Sequence, residues 1–297
     1  MMTVRQKAFA GFVIVCLIWG STWAAVRIGL HSIPPVLSAG LRFALASIVL
    51  WVFMKWKGYN FPHTRKFWML IIILCLTAFS LPFGLIYWGQ ARVDSGISSV
   101  LFATFPFWVA LLSHFLLSGE RLTLRRIAGI AVGFCGVLMI LQPVVSENSV
   151  NIPGTLAILA GAFLQAIALI AIRKYGQEYN SVVLNLYSML FSSVLLMGWS
   201  MLIENYSHIE IDGAAVFSIL YLALFGTVLS FVIYFWMAKH VEVIVLSLSA
   251  FITPVVALLT GVLLLNEKIA ANAYSGSFLV LLGVLMASGA AVQRVVN

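Results

Sequence analysis

The sequence predicts an all-α polytopic membrane protein, with ten transmembrane helices arranged as two inverted five-helix repeats, and three observations carry that prediction. Of 297 residues, 63% are hydrophobic and 9% charged, at a mean hydropathy of +1.09, which is too little polar surface to cover a soluble globule. Ten apolar runs consume most of the chain, each close to the about 20 residues that span about 30 Å of hydrocarbon at a helical rise of about 1.5 Å. Residues 87–141 reappear without a gap 147 residues later as 234–288, with 17 identities in 55 positions. Such self-similarity marks a duplicated unit, here 1–147 and 148–297. A β-barrel is excluded, because its strands would alternate apolar and polar, whereas these runs are apolar all round.

The first span, 8–29, follows a short basic leader with Arg5 and Lys7. Its apolar run is longer than a signal core, and Trp19-Gly-Ser-Thr-Trp23 offers no small-x-small cleavage site, so it reads as a retained helix. The second span, 35–56, carries Arg42. A cation there costs roughly 2.5 to 3.5 kcal/mol on insertion scales, so it either faces a wet central cavity or snorkels to the nearby interface and helix ends. The third span, 67–89, closes on Tyr87 and Trp88. The fourth, 95–117, sets Ser98, Phe102 and Phe105 on one face beside Pro106. The fifth, 124–141, carries Gly129, Gly133 and Gly136 on a face of small residues, suited to close helix approach within the molecule or in a dimer.

The sixth and seventh spans are 153–172 and 181–203. They lead to a loop, 204–212, with three acidic residues and no Lys or Arg. The eighth span, 213–236, holds Phe231 and Tyr234. The ninth, 243–265, repeats the fourth's pattern with Ser247, Phe251 and Pro254, and 273–292 forms the tenth. Five spans per copy force the second copy into the bilayer upside down relative to the first, an arrangement that builds transporters around a midplane site. A proline removes one backbone hydrogen bond and frees a carbonyl one turn earlier, tolerable in hydrocarbon only against protein or water. The helix breaks expected at Pro106 and Pro254 therefore either face the interior or are plain packing kinks.

Placing both termini in the cytoplasm puts 13 of the 17 basic residues on that side, as the positive-inside rule requires. The net charge of +8 is thus a topological signal rather than a nucleic-acid footprint. Trp88 and Trp236, at span ends, suit the interface belt. Trp19, Phe105 and Phe251 lie mid-span, where they either pack or line a pocket. Glu120 and Glu267 read as helix-end groups beside Arg121 and Lys268. Cys16, Cys75 and Cys135 read as buried apolar thiols with no disulfide or metal pattern.

No carboxylate lies mid-span, so the buried acidic relay of many proton-driven pumps is missing. No Gly-rich phosphate loop encodes ATP drive, no cofactor is expected, and no intramembrane protease signature occurs.

Trp19-Gly-Ser-Thr-Trp23, Arg42-Phe43, Gly119-Glu120-Arg-Leu, Gly133-x-x-Gly136-Val-Leu, and Pro254 leading to Asn266-Glu267 together resemble an EamA-type permease of the drug/metabolite transporter superfamily. Asn266 stands where the first copy has glycine, and Pro106 to Glu120 is 14 residues where Pro254 to Glu267 is 13. The resemblance implies a bacterial inner-membrane, multi-pass carrier moving small organic solutes, often outward, through a central cavity. The expected function is a secondary exporter of small amphipathic metabolites, such as amino acids or analogues, by alternating access. A channel-like facilitator and an intramembrane enzyme are the other classes. The expected partners are a small-molecule substrate and membrane lipid, with no nucleic acid, in a monomer or homodimer. Candidate substrate-binding residues are Trp19, Trp23, Arg42, Tyr87, Ser98, Phe102, Phe105, Phe231, Tyr234, Ser247 and Phe251, with Pro106 and Pro254 as helix breaks.

Overall fold

The computed structural model describes residues 3–60, 62–93, 95–118, 122–145, 151–207, 209, 211–256 and 271–294. Among these residues the chain is helical, with no strand. Six helices are long and apolar enough to cross a membrane: α1 (Val4–Gly29), α2 (Pro35–Lys57), α3 (Arg65–Gln90), α7 (Ile152–Tyr175), α8 (Ser181–Ile203) and α9 (Gly213–His240). Between and after them come α4 (Ser95–Phe102), α5 (Phe105–Leu116), α6 (Leu124–Val145), α10 (Val243–Val256) and α11 (Ala271–Arg294). Glu120, Arg121, Asn266, Glu267 and Lys268 lie outside the described residues, so the capping and pairing expected of them do too.

Polar side chains fix the helix starts. Thr3, Thr64, Asn151, Asn180 and Asp212 each accept a first-turn N–H at the start of α1, α3, α7, α8 and α9, satisfying groups that no intrahelical carbonyl can reach. The start of α2 is capped from far along the chain, where the Glu204 carboxylate accepts from Val36 N at 2.8 Å and Leu37 N at 2.9 Å. An anion there also offsets the positive end of the helix dipole. At its other end α2 closes with Lys55 and Lys57 in the last turn and Gly58 at φ 65°, a left-handed cap that glycine adopts without strain.

Two of the long helices are interrupted by a π-turn, Cys75–Ser80 in α3 and Leu224–Leu229 in α9. The two stand within two residues of the repeat register. A π-turn skips a carbonyl and needs outside partners for it, so both are packed against α2 or α8. Around them the core is aromatic. Phe43 meets Phe79 and Phe83 edge-on at 5.3 and 4.9 Å, and Phe79 meets Phe231 at 5.0 Å. In lipid such shape-matched contact, not water exclusion, holds helices together.

The glycine face of α6 packs within the molecule, against α11. A Cβ at Gly283 would lie 2.4 Å from Gly133 N and 2.6 Å from Gly129 O, and one at Gly136 would lie 2.6 Å from Gly276 O. Backbone meets backbone there, so nothing flexible can yield. Gly283→Ala is expected to cost roughly 1 to 3 kcal/mol by overpacking, read as a lower melting temperature in detergent. Gly198→Ala, with open space around it, should hold or raise the melting temperature through better helix propensity.

Two expectations are corrected. Cys16 and Cys75 are buried, but Cys135 is exposed, because it lies on the side of α6 away from the glycine seam. The interruptions near the prolines also fall earlier than expected. The fourth span breaks at Ala103 and Thr104, so Pro106 opens α5 in its first turn, where its missing N–H costs nothing. The ninth span loosens at Leu248, and Pro254 sits inside the helical segment that follows, 249–256. The carbonyl that Pro254 cannot serve, Ala250 O, accepts instead from Thr253 Oγ1 at 3.1 Å.

Candidate functional site

One cavity lies among α1, α2, α3, α4, α5, α7, α9 and α10. It reaches toward the end of the bundle where α1 and α3 finish, since Val26 and Gln90 line it. Eight of the eleven candidate residues meet there: Trp19 and Trp23 from α1, Arg42 from α2, Tyr87 from α3, Phe102 and Phe105 flanking the α4–α5 break, and Phe231 and Tyr234 from α9. Two repeat-equivalent pairs share the wall, Tyr87 with Tyr234 and Phe102 with Ser249. The cavity volume is about 80 Å³, room for a few waters.

Arg42 is 3% exposed, so it does not snorkel. The second π-turn explains why it can stay inside. Its Nη2 donates to Gly226 O at 2.9 Å, its Nε to the Thr227 hydroxyl, and its Nη1 to the Tyr87 hydroxyl at 3.0 Å. Thr227 in turn donates to Leu222 O at 2.8 Å, so it accepts and donates at once. Gly226 O also accepts from Trp19 Nε1 at 3.3 Å, which brings two candidate residues onto one carbonyl. A Cβ at Gly226 would lie 3.2 Å from Arg42 Nη2 and 2.9 Å from Thr22, so glycine is what allows this approach. The Phe83 ring, 5.1 Å from the guanidinium carbon, adds attraction through its negative face.

These contacts use three of the five guanidinium N–H donors. Among the described residues the cavity lining holds one cation and no carboxylate, so its field is positive. The Tyr234 hydroxyl is buried with no hydrogen-bond partner, and its ring stands 4.9 Å from that of Trp19. Phe102 stacks on Phe105 at 5.7 Å and meets Trp23 at 6.0 Å. Gln90 donates to Trp23 O at 3.4 Å, and the Gln165 amide joins the wall from α7.

Ser98, Ser247 and Phe251 do not line the cavity. Ser98 Oγ donates to Val93 O and Ser247 Oγ to Ile244 O, both fully buried. Phe251 packs on Gly133 in a second apolar cluster with Ile130 and Val137. The turn at Leu248 rotates the rest of α10, so Ser249, Ala250 and Thr253 face inward instead. Sequence reasoning missed these residues, together with Gln90, Gln165, Gly226 and Thr227. Two amides inside apolar runs were a readable signal; the π-turn that recruits Gly226 and Thr227 was not.

The profile of the EamA-like transporter family matches residues 6–142 and 152–289. The chain is 29% identical over 281 residues to the uncharacterized transporter YoaV of Bacillus subtilis (strain 168), covering 94% of this chain and 96% of the relative. It is 27% identical over 298 residues to a probable amino-acid metabolite efflux pump of Salmonella typhimurium (strain LT2), covering 94% of each. A protein known from its crystal structure superimposes with a TM-score of 0.81 at 20% identity, over 95% of this chain and 98% of that one.

Proposed function

We propose, for a chain that belongs to the EamA-like transporter family, that it is a secondary exporter of small amphipathic metabolites bearing a carboxylate, amino acids or their analogues first among them. The chain is a membrane transporter of that family; its substrate class, direction and mechanism are the proposal. One observation carries it: a cavity where, among the described residues, a single guanidinium faces an aromatic wall with no carboxylate beside it. A solute carboxylate takes the two donors that Arg42 has left, the Tyr234 hydroxyl gains a partner, and an ammonium group rests on the faces of Trp19 and Tyr234. The solute's side chain lies among Phe102, Phe105 and Phe231. The name of the Salmonella relative at 27% identity points to the same solute class.

The mechanism we propose is alternating access between inverted repeats, 1–147 and 148–297. Its support is reciprocal packing, in which Gly129 meets Gly283 and Gly136 meets Gly276. Gly129 and Gly276 are repeat equivalents, as are Gly136 and Gly283, so the two contacts are related as a pseudo-two-fold axis demands. A cavity of about 80 Å³ has to widen to take the larger amino acids, as a carrier's site does. With the basic residues inside, both termini face the cytoplasm of a bacterial inner membrane.

The test is counterflow in proteoliposomes loaded with unlabelled amino acids. Transient, saturable accumulation of the labelled solute is expected, whereas simple equilibration would make the protein a facilitator. In a variant lacking the three native cysteines, Phe102→Cys and Ser249→Cys should react with a small polar thiol reagent and be protected by substrate. Ser98→Cys and Ser247→Cys should not react. Equal labelling at all four positions would reduce the cavity to a packing void.

A further inference from the structure

A second and larger cavity, about 520 Å³, opens at the end of the bundle where α1 and α8 begin and α2 and α9 finish. It is separate from the central site. On α9, Val232, Ile233, Trp236 and Lys239 line it, while Phe231 and Tyr234 line the central cavity. At 100° per residue these two sets occupy opposite sides of one helix.

Its chemistry is two-part. At the mouth, Lys7 and Lys239 lie with no carboxylate among the lining residues. Lys239 Nζ gives one hydrogen bond to Tyr179 O at 2.8 Å and has two donors left. Asn180 and Ser181 bring in the N-terminal end of α8, the positive pole of a 23-residue helix. The Ser181 residue is 7% exposed, and its hydroxyl is buried without a hydrogen-bond partner, a state that an anionic acceptor would relieve. Further along α1 and α9 from these lysines the lining turns apolar, with Ile14, Val232 and Ile233.

We infer that this groove binds an anionic phospholipid, its phosphate held between Lys7, Lys239 and Ser181 and the upper part of an acyl chain laid along Ile14, Val232 and Ile233. A phosphate diester supplies an acceptor to the unpartnered hydroxyl and negative charge to the two amines, and the apolar wall favours a lipid over a free phosphate ester. The site does not depend on the transported solute.

The test compares lipids by native mass spectrometry and by thermal shift of the full chain purified in detergent. Phosphatidylglycerol should be retained and should raise the melting temperature, about tenfold more effectively than phosphatidylcholine. Lys7→Gln combined with Ser181→Ala should abolish that preference. Lys7→Gln alone, on an exposed side chain, carries the test if Ser181→Ala disturbs the start of α8. Equal effects of the two lipids, or unchanged preference in both variants, would overturn the assignment. So would protection by soluble glycerol 3-phosphate equal to that by phosphatidylglycerol, since the ligand would then be a free phosphate ester.

Discussion

Arg42→Ala is expected to abolish transport and to lower the melting temperature, because the guanidinium has two tasks that fail together. It satisfies Gly226 O, the Thr227 hydroxyl and the Tyr87 hydroxyl. Its loss leaves up to three buried polar groups short of a partner, each at a cost of roughly 1 to 3 kcal/mol. Among the described residues it is also the only cation on the cavity wall. Arg42→Lys separates the tasks. An ammonium keeps the charge but cannot reach three partners in the plane that the guanidinium fork spans. That variant should fold with a modest loss of stability and still discriminate for carboxylate-bearing solutes. Its KM for them should rise by roughly tenfold, the loss of one charge-assisted hydrogen bond, with less effect on a neutral solute. If transport of anionic and neutral solutes fell equally in Arg42→Lys, in step with stability, Arg42 would be a strut for the π-turn and no part of solute recognition.

Much of this arrangement was legible in the chain itself. The apolar runs at 8–29, 35–56 and 153–172 became α1, α2 and α7 because length and hydrophobicity leave a bilayer-spanning segment no other way to satisfy its backbone. Arg42, Trp19 and Tyr87 stood out because a cation or an aromatic at mid-span has to be explained by a partner. The partner itself was hidden, since Gly226 lies 184 residues from Arg42 in sequence and becomes an acceptor only through a π-turn. Nothing in Leu-Phe-Gly-Thr-Val-Leu announces that turn, because its cost is met by contacts from α1 and α2. Register was misread for a related reason. Ser247, Phe251 and Pro254 share a face on an unbroken helix, and the turn at Leu248 moves Ser249, Ala250 and Thr253 into their place.

A second large effect is expected at the opposite end of the bundle from Gln90 and Val26. There Arg126, in the first turn of α6, is ion-paired with Glu242, the residue before α10. The pair joins the first half of the chain to the second. The repeat supplies no counterpart, since the equivalent positions are Ser95 and Ala273. Arg126 is 9% and Glu242 21% exposed in its side chain, so solvent screens the pair little on one side and more on the other. Glu242→Gln removes the charge that faces a nearly buried cation, a change that costs about 3 to 5 kcal/mol when a buried pair is broken outright and roughly 2 kcal/mol with Glu242 partly wet. Removing both charges, in Arg126→Gln with Glu242→Gln, should recover much of that loss, and the charge-reversed pair Arg126→Glu with Glu242→Arg should do likewise. The double-mutant cycle on melting free energy should therefore show coupling of roughly 1 to 3 kcal/mol. In alternating access this is also the end that must open once the cavity's present mouth has closed. The neutral double variant should then be labelled faster than the parent at a cysteine replacing Phe231, when the reagent is applied from that end. Additive single effects, or labelling unchanged by neutralising the pair, would make the ion pair a surface contact with no hold on either stability or access.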